Sequence, residues 1–351
     1  MTRLYAVVVL PPPYTGMTIA SQSICKALAD RCDFFLYPTR RDPQWGDLRW
    51  RIQKHLSLLA FVAKIPRNGK SNDSIYFVVD SRLGLLGSCL LVVFARLRGF
   101  RLVAHHHVWS YVRNSTFLAR VFFFLAGRDT VHITLCETME HSIRSCYPRA
   151  ARVVVVNNLD LLSVEQSEEV VQTSKVSQLG KGRLNLGMLG NLTLDKGVAK
   201  AVEVVSVLAD RGHSVSLHLA GPLSAEVAEL LSESRGRLDV NAIGPIFGPD
   251  KEAFLADLDL LLFPSEYINE ADPLVVWEAL LAGTPVVSTD VGCLAGERPG
   301  LLSLNRNEFT DRAVELCIDQ KQLEELTTNA SAMGAKSAHL ESLDALVEAL
   351  A

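Results

Sequence analysis

The segment LDLLLFPSEYINEADPLVVWEALLAGTPVVSTD, residues 258–290, has the most regular alternation of strand and helix signals in the chain. Its apolar start predicts a buried strand, and PVVSTD at its end predicts another. Between them lies a proline that suits the first turn of a helix, so the pattern predicts a helix over Pro273–Ala282. A strand, a helix and a further strand in this order indicate a parallel sheet.

The same alternation runs through the rest of the chain. Apolar strands begin at Leu4–Leu10, and the pattern restarts at Leu184–Leu189 after a polar stretch, Ser163–Arg183, where we place a linker. With 351 residues the chain exceeds one ordinary core. We therefore predict an α/β protein with two Rossmann-like doubly wound domains that face a central cleft. The predicted parts are residues 1–165, residues 166–335, and a C-terminal helix, 336–351, that packs back toward the first domain.

Charge is distributed unevenly along the sequence. Residues 1–160 hold 21 Lys and Arg against 10 Asp and Glu, and the remainder holds 14 against 29. A basic first half suggests contact with an anionic phospholipid surface or a phosphate-bearing acceptor; an uneven but solvated surface is the equal alternative. Within this half, Leu48–Arg67 predicts a basic amphipathic helix with Ile52 and Leu56 on one face. This helix either packs on the sheet of the first domain or docks on a membrane.

The sequence also predicts a location and excludes some partners. No basic leader with an apolar segment and cleavage site precedes Leu4, so we expect no signal peptide and a cytoplasmic protein. The longest apolar stretch, Leu83–Ala95, is too short to span a bilayer, so any contact with the inner face of the membrane is peripheral. The seven cysteines have no CxxC pair or zinc-finger spacing. We expect no metal site and no nucleic-acid partner.

Two glutamates in the opening segment suit the binding of a nucleotide diphosphate. Glu270 precedes the predicted helix, and Glu278 lies about one turn inside it. There the Glu278 carboxylate could accept two hydroxyl hydrogen bonds, as a ribose offers, and Glu270 could reach hydroxyls of a sugar. Free backbone N–H groups and the helix dipole would hold the diphosphate. The residues expected at this helix start are Asp272, Pro273, Leu274 and Val275.

The segment EADPLVVWEALLAGTPV resembles the E-x7-E region of the family 4 glycosyltransferases, which are retaining enzymes of the GT-B type. The resemblance spans nearly the whole chain and is stronger after Leu184. It implies transfer of a hexose-type sugar from a UDP- or GDP-sugar to a saccharide or lipid-linked acceptor bound by the N-terminal half. It also implies that no metal cofactor is required and that no carboxylate acts as a nucleophile. By analogy, the acceptor belongs to bacterial surface polysaccharide or glycolipid biosynthesis.

A second segment, LNLGMLGNLTLDKGV, resembles the strand, G-R-L and K-G elements of the same family. The resemblance implies that Gly190, Asn191 and Lys196 lie beside the donor diphosphate. Lys196 would stabilise the negative charge that develops on the leaving group. Asn191 stands where the family has an arginine, so a charged phosphate contact is lost at this position.

Weaker matches add further candidates. The segment NAIGPI implies that Pro245 and Ile246 lie near the nucleobase, and TGM resembles the glycine loop of the family, with Thr15 and Gly16 near the donor. In AHHHVWSY, His106 or His107 is placed like the family residue beside the reacting sugar. Side chains alternate along a strand, so some of these histidines are structural.

Two other functions remain open at this point. A non-hydrolysing nucleotide-sugar epimerase of the GT-B fold would use a sugar nucleotide without an acceptor. A catalytically silent partner subunit would keep the fold without the phosphate arginine. The spacing of Glu270 and Glu278 favours a transferase over the epimerase, and Asn191 is the residue that keeps the silent subunit open.

Overall fold

The computed structural model describes residues 3–11, 16–39, 47–65, 73–163, 182–234, 236–296, 298–334 and 341–350. The chain forms two compact units, one of residues 1–165 and 338–351 and one of residues 166–337. Thr15 and most of the predicted linker, residues 164–181, lie outside the described residues.

The first unit is built on a six-stranded parallel sheet in the order β2-β1-β3-β4-β5-β6. The strands are β1 Arg3–Val9, β2 Asp33–Thr39, β3 Ser74–Val79, β4 Arg101–His106, β5 Val131–Thr134 and β6 Arg152–Val155. The inner strands are apolar on both faces because helices cover both sides of a parallel sheet. The chain leaves β1 to one side and returns to the other, so the strand order reverses between β1 and β3.

Helices follow the strands of the first unit in turn. They are α1 Gly16–Ala29, α2 Asp47–Lys64, α3 Leu85–Leu97, α4 Ser110–Arg113, α5 Phe117–Ala126, α6 Glu137–Cys146, α7 Asn158–Ser163 and, from the end of the chain, α14 Glu341–Leu350. Leu343 and Leu346 of α14 are buried in the core formed by β1, α1 and α7. Ser342 adds a hydrogen bond to the Asp160 carboxylate, so the last helix is part of this unit.

The second unit has a six-stranded parallel sheet in the order β12-β11-β10-β7-β8-β9. Its strands are β7 Leu184–Leu189, β8 Val215–Ala220, β9 Val240–Gly244, β10 Leu260–Phe263, β11 Val286–Thr289 and β12 Leu301–Leu304. Its helices are α8 Val198–Asp210, α9 Ala225–Glu233, α10 Pro249–Asp257, α11 Leu274–Leu281, α12 Phe309–Ile318 and α13 Gln320–Gly334. Apolar residues of β7, β8 and β10 form one core with α8 and α12.

The predicted α/β class with two Rossmann-like doubly wound units is confirmed. The helix predicted from Pro273 begins one residue later, at Leu274, and Pro273 is its N-cap with extended backbone angles. The basic helix predicted over Leu48–Arg67 is α2, Asp47–Lys64, which packs against α3. Among the described residues, no helix combines the length and apolar character that a membrane crossing needs.

Candidate functional site

The candidate site of the second unit lies at the carboxyl ends of β7 and β10. The chain runs from β7 to β8 and β9 on one side of the sheet, and then to β10 on the other side. The two connections that follow β7 and β10 therefore diverge and leave a crevice, where doubly wound folds bind their ligands. Lys196 is carried by the connection after β7, and Glu270 by the connection after β10.

Gly197 lets these two connections approach each other closely. It ends the 3₁₀ turn Leu194–Lys196 in a left-handed conformation, with a φ of 82°. A Cβ atom at this position would lie 2.1 Å from the carbonyl oxygen of Pro264. Only glycine meets both conditions without strain, and the Lys196 backbone is thereby fixed against the loop after β10.

Lys196 and Glu270 form an ion pair at the centre of this crevice. The Lys196 ammonium contacts Glu270 Oε2, and Ser265 Oγ donates a hydrogen bond to the same oxygen at 3.0 Å. The ammonium also lies 4.8 Å from the centre of the Tyr267 ring, a cation–π distance. Only 11% of the Glu270 side chain is exposed. The sequence-predicted cation and the first sequence-predicted carboxylate are thus brought together.

The amino end of α11 follows Glu270 by a few residues. The helix begins at Leu274, so the first N–H groups of the helix, including those of Leu274 and Val275, have no helical carbonyl partner. The Asp272 carboxylate is buried and accepts a 2.7 Å hydrogen bond from Trp277 Nε1. The Asp272 side chain therefore stabilises the first turn of the helix, and the predicted anion contact falls to backbone groups.

Glu278 pairs with a lysine that sequence analysis did not identify. The Lys251 ammonium lies 2.7 Å from Glu278 Oε1, and the Glu278 side chain is 12% exposed. Lys251 is in the first turn of α10, which packs against α11. Its only sequence signal is a position just after the helix-starting Pro249, and this is too general to single it out.

The remaining predicted donor residues also lie at the carboxyl edge of this sheet. Gly190 and Asn191 follow β7 and are exposed, and Pro245 and Ile246 follow β9. Gly221 packs so tightly against Gly190 that an added Cβ would lie 1.8 Å from the Gly190 carbonyl oxygen. This contact holds the ends of β7 and β8 together beside Asn191.

Asp259, just before β10, has a structural role. Asp259 Oδ2 accepts a 2.7 Å hydrogen bond from the backbone N–H of Asn185 in β7, and the Asp259 N–H donates to the Asn185 carbonyl at 2.9 Å. Asp257 ends α10. Across the described part of the chain, no group of three or more His, Cys, Asp or Glu side chains is arranged to hold a metal ion.

In the first unit, His106 occupies the core rather than a ligand-facing position. His106 is fully buried at the end of β4. Its Nδ1 lies 2.8 Å from the Tyr111 hydroxyl and its Nε2 lies 3.0 Å from His132 Nδ1. Both ring nitrogens of His106 have protein partners and the ring stacks on Phe123, so the side chain does not reach the surface, and its contact with a sugar stays a prediction.

His107 follows β4 and is partly exposed. Its Nε2 lies 3.2 Å from His105 Nδ1, which is also 2.7 Å from the Tyr76 hydroxyl. Burial by the surrounding protein lowers the pKa of His107 to about 4, so its imidazole is neutral at pH 7. His107 is the predicted histidine that still reaches the surface at the end of this strand.

Gly16 and a separate pocket lie at the carboxyl edge of the first sheet. Gly16 is exposed at the start of α1.

Where the strand order reverses between β1 and β3, a pocket is lined by apolar residues and by an ion pair of Lys54 and Asp80, with N and O 2.5 Å apart. Thr39 also lines this pocket, and its hydroxyl donates to the Val8 carbonyl.

Most of the second unit matches the sequence model of a known family. Residues 183–319 match the family model of glycosyl transferases group 1. The second unit matches this family. The matched segment contains Lys196, Glu270, Glu278 and Lys251, so both ion pairs of the site lie within it.

A relative of known activity matches a shorter stretch. Over 113 residues the chain is 34% identical to the 2-deoxystreptamine glucosyltransferase of Streptomyces kanamyceticus. This stretch is 31% of the chain and 28% of the relative, so the match spans less than a third of the relative's length.

Solved structures resemble the chain over its full length. Anabaena Alr3699/HepE in complex with UDP has a TM-score of 0.70 at 17% identity, covering 99% of this chain and 98% of HepE. The UDP-glucose complex of HepE has a TM-score of 0.68 at 18% identity, covering 98% of each chain. WaaG, a glycosyltransferase involved in lipopolysaccharide biosynthesis, has a TM-score of 0.64 at 14% identity and the same coverage. The fold is that of GT-B glycosyltransferases.

Proposed function

We propose that this chain is a retaining glycosyltransferase that moves a hexose-type sugar from a UDP- or GDP-sugar to a saccharide or lipid-linked acceptor. One observation carries the proposal. Two carboxylates with seven residues between them flank the amino end of α11 at the strand-order reversal of the second sheet, and each is paired with a lysine. The match of residues 183–319 to glycosyl transferases group 1 supports the same activity.

The donor nucleotide would be held by groups of the second unit. The mostly enclosed Glu278 carboxylate accepts two hydrogen bonds, one from each ribose hydroxyl. The diphosphate lies against the N–H groups of Leu274 and Val275, where the helix dipole favours an anion. The exposed Pro245 and the half-buried Ile246 provide an apolar contact for the base, and Gly190 and Asn191 line the phosphate side.

Lys251 adds a cation next to the ribose contact. It holds the Glu278 carboxylate from α10, so that the second carboxylate oxygen of Glu278 is oriented for a hydroxyl donor. Because a charged acceptor binds hydroxyl donors more strongly than a neutral one, this pair favours a ribose over a group without adjacent hydroxyls.

The reaction would need no metal ion and no nucleophilic carboxylate. The bond between the anomeric carbon and the β-phosphate oxygen breaks, and the acceptor oxygen bonds to the same face of that carbon. The acceptor proton passes to the leaving phosphate oxygen. Lys196 and the α11 amino end stabilise the charge on that phosphate, and Glu270 positions the sugar hydroxyls.

We propose that the acceptor binds to the first unit. The pocket at the ends of β1 and β3 offers the Lys54–Asp80 ion pair as a donor and an acceptor for sugar hydroxyls, surrounded by apolar side chains. His107, which is partly exposed and neutral, is the histidine assigned to the reacting sugar. An acceptor in surface polysaccharide or glycolipid assembly fits the similarity to WaaG, whose role is in lipopolysaccharide biosynthesis. We place the protein at the inner face of the cytoplasmic membrane.

A donor screen followed by product analysis tests this function. UDP-, GDP- and ADP-sugars are compared for thermal stabilisation of the full chain, because a ligand at a hundred times its Kd stabilises by about 2.7 kcal/mol. The preferred donor is then incubated alone and with acceptor sugars. Slow donor hydrolysis or transfer with retained configuration supports the proposal. An epimerised sugar nucleotide, or no turnover with any donor, would overturn it in favour of an epimerase or a silent subunit.

A further inference from the structure

The outer face of α3 presents an apolar stripe to solvent. Leu86, Leu90, Phe94 and Leu97 follow one another at intervals of four, four and three residues, so they share one face of the helix. Their side chains are between 39% and 79% exposed, while Leu85, Leu91 and Val92 on the opposite side are buried. The helix therefore buries one apolar face in the first unit and exposes another.

The neighbouring helices extend this stripe. α3 packs against α5 on one side and against α2 on the other. On α5, Phe117 and Phe124 are two turns apart and are 82% and 59% exposed. On α2, Ile52 and Leu56 are one turn apart and more than half exposed. Several large apolar side chains exposed side by side on adjacent helices mark an interaction surface.

The charges around this surface are predominantly positive, with the exposed Asp129 directly after Arg128 and Asp80 before α3, where it pairs with Lys54. From Ser81 to Arg128 the sequence has seven arginines and no Asp, Glu or Lys; the arginines are Arg82, Arg96, Arg98, Arg101, Arg113, Arg120 and Arg128. Arg120 lies three residues after Phe117 and four before Phe124, so it shares their face of α5. Arg82 and Arg128 are exposed near the ends of α3 and α5.

Some of these arginines make hydrogen bonds within the protein. Arg98 Nη1 donates to the Ile65 carbonyl at 3.0 Å, and Arg120 Nε donates to Ser115 Oγ at 2.7 Å. Arg96 Nη1 donates to the carbonyl oxygens of Leu125 and Ala126 at 3.2 and 2.7 Å, and thereby ties α3 to the end of α5. The contact fixes the apolar residues of the two helices relative to each other, so the surface is preformed rather than assembled on binding.

We propose that this α3–α5 face, defined by Leu86, Leu90, Phe94, Leu97, Phe117 and Phe124 with Arg82, Arg120 and Arg128, docks on an anionic lipid surface. The leucines and phenylalanines enter the boundary between headgroups and acyl chains, and the arginine guanidinium groups bind lipid phosphates. This combination of an apolar face and basic residues is what interfacial binding requires.

The charge pattern selects a lipid surface over a second copy of this chain. A symmetric dimer through the same face would place arginines of one copy against arginines of the other, and like charges at a closing contact are unfavourable. Phosphate headgroups supply the opposite charge over the whole area, and acyl chains accept the apolar side chains.

The proposed docking surface lies on α3 and α5, whereas the basic amphipathic helix noted in the sequence is α2. The sequence left α2 open as a membrane-docking helix; among the α2 side chains that the structure describes, the exposed Ile52 and Leu56 lie at the edge of the surface. The inference rests on the membrane location given under the proposed function and names the surface that makes the contact; the flotation assay that tests it does not depend on turnover.

Vesicle flotation of the full chain tests the proposal. Vesicles of phosphatidylcholine are compared with vesicles of phosphatidylcholine and phosphatidylglycerol, at low and high salt. We expect binding to the anionic vesicles that weakens with salt. Leu90→Gln/Phe94→Gln should reduce the partition coefficient by about tenfold or more. Arg120→Gln/Arg128→Gln should reduce it by about fivefold for each arginine.

Matched controls change exposed residues of the same type in the second unit. Ile318→Gln, at the end of α12, and Arg211→Gln, after α8, should leave flotation unchanged. Thermal unfolding of each variant checks that it folds; if Leu90→Gln/Phe94→Gln unfolds early, Leu86→Gln/Leu97→Gln takes its place.

Three results would overturn the proposal. These are no binding to anionic vesicles, equal loss in the control variants, and a concentration-dependent dimer that Leu90→Gln/Phe94→Gln disperses while vesicle binding is absent. The last result would assign the face to a second copy. Donor binding measured on the same variants stays unchanged in every case, so failure here is distinguishable from failure of the transferase proposal.

Discussion

The ammonium of Lys251 lies 2.7 Å from a carboxylate oxygen of Glu278 and joins the first turn of α10 to the middle of α11. The pair fixes the carboxylate that is proposed to hold the donor ribose. Since both side chains are mostly enclosed, removing either partner leaves a desolvated charge without its counter-charge. Stability and donor binding are therefore coupled at this pair.

A double-mutant cycle measures that coupling. Lys251→Met should lower the free energy of unfolding by about 1–3 kcal/mol, because the Glu278 carboxylate loses its partner. The double variant Lys251→Met/Glu278→Gln should lose clearly less than the sum of the two single variants. Urea unfolding of the four proteins gives the coupling energy. Strictly additive losses would show that the pair makes no net interaction.

Replacing Glu278 should weaken donor binding specifically. Glu278→Gln keeps the size of the side chain but replaces a charged hydrogen-bond acceptor with a neutral one, so the Kd for UDP should rise by roughly tenfold or more. Isothermal titration calorimetry measures it. Glu252→Gln, one residue beyond Lys251 on an exposed side of α10, is the matched control and should bind UDP as the parent chain does. Equal affinity in both variants would remove Glu278 from the site.

Lys196 should affect the rate of transfer more than substrate binding. Lys196→Met removes the cation that stabilises the leaving phosphate, and loss of one such group costs about 100- to 1,000-fold in kcat. Lys200 is a suitable comparison because it also pairs with a carboxylate of the same loop, Glu266, at 2.8 Å. Lys200→Met should retain kcat within about threefold, as expected for a partly exposed ion pair. Comparable losses in the two variants would argue for a structural role of Lys196.

Replacing Asn191 with arginine should increase the affinity for UDP. It is exposed next to Gly190, where the resembled family has an arginine. Asn191→Arg adds a guanidinium that can bind phosphate oxygens bidentately, so the Kd for UDP should fall by up to about tenfold, with a steeper salt dependence. Asn191→Gln is the uncharged control. An unchanged Kd in the arginine variant would indicate that the diphosphate lies elsewhere.

Alanine substitutions at Gly197 and Gly212 distinguish the stability cost of a steric clash from that of a left-handed backbone. Both have left-handed backbones, with φ of 82° and 83°, yet an added Cβ meets the Pro264 carbonyl at Gly197 and nothing within 4 Å at Gly212. Gly212→Ala should cost about 1 kcal/mol of stability, the usual penalty for alanine in this conformation. Gly197→Ala should cost clearly more and should also weaken UDP binding. Thermal unfolding with and without UDP distinguishes the two.

The histidines of the first unit predict a loss of stability in mild acid. Burial lowers the pKa of His132 to about 3 and that of His107 to about 4, below the ordinary 6.5. The unfolded chain therefore binds protons that the folded chain does not, so stability is complete above pH 6.5 and falls as the pH drops from there toward 4. Each such histidine contributes a slope of about 1.4 kcal/mol per pH unit.

Urea unfolding between pH 7.5 and pH 4.5 measures that slope. His132→Gln should flatten it, because one neutral buried imidazole is removed, whereas His141→Gln on the exposed side of α6 should leave it unchanged. A pH-independent midpoint for the parent chain would contradict the burial of these imidazoles in the neutral form.

The sequence predicted the parts of the fold that depend on continuous apolar runs. The central strands β1 and β10 are mostly buried on both faces, and Leu4–Val9 and Leu260–Phe263 are unbroken apolar runs; β7 is apolar apart from Asn185. Edge strands carry less of this signal. β2 has only exposed and partly exposed residues and contains Pro38, and β12 is four residues long. Neither was predicted.

The site was predictable where one segment contains all its parts. Glu270, the start of α11 and Glu278 lie within nine residues, so spacing alone indicates their arrangement. Lys251 comes from another helix and joins the site only through the packing of α10 on α11. His106 shows the converse case, in which the sequence position does not indicate what the side chain contacts. Its position at the end of an apolar strand is typical of a residue that faces a ligand. The His106 side chain instead points into the core, where it hydrogen bonds to Tyr111 and His132.

A crystal structure of the full chain with UDP tests the central claim most directly. We expect the ribose hydroxyls on the carboxylate of Glu278 and the diphosphate at the backbone N–H groups of Leu274 and Val275, within reach of the Lys196 ammonium. A nucleotide bound away from the amino end of α11, with Glu278 contacting only Lys251, would contradict the account.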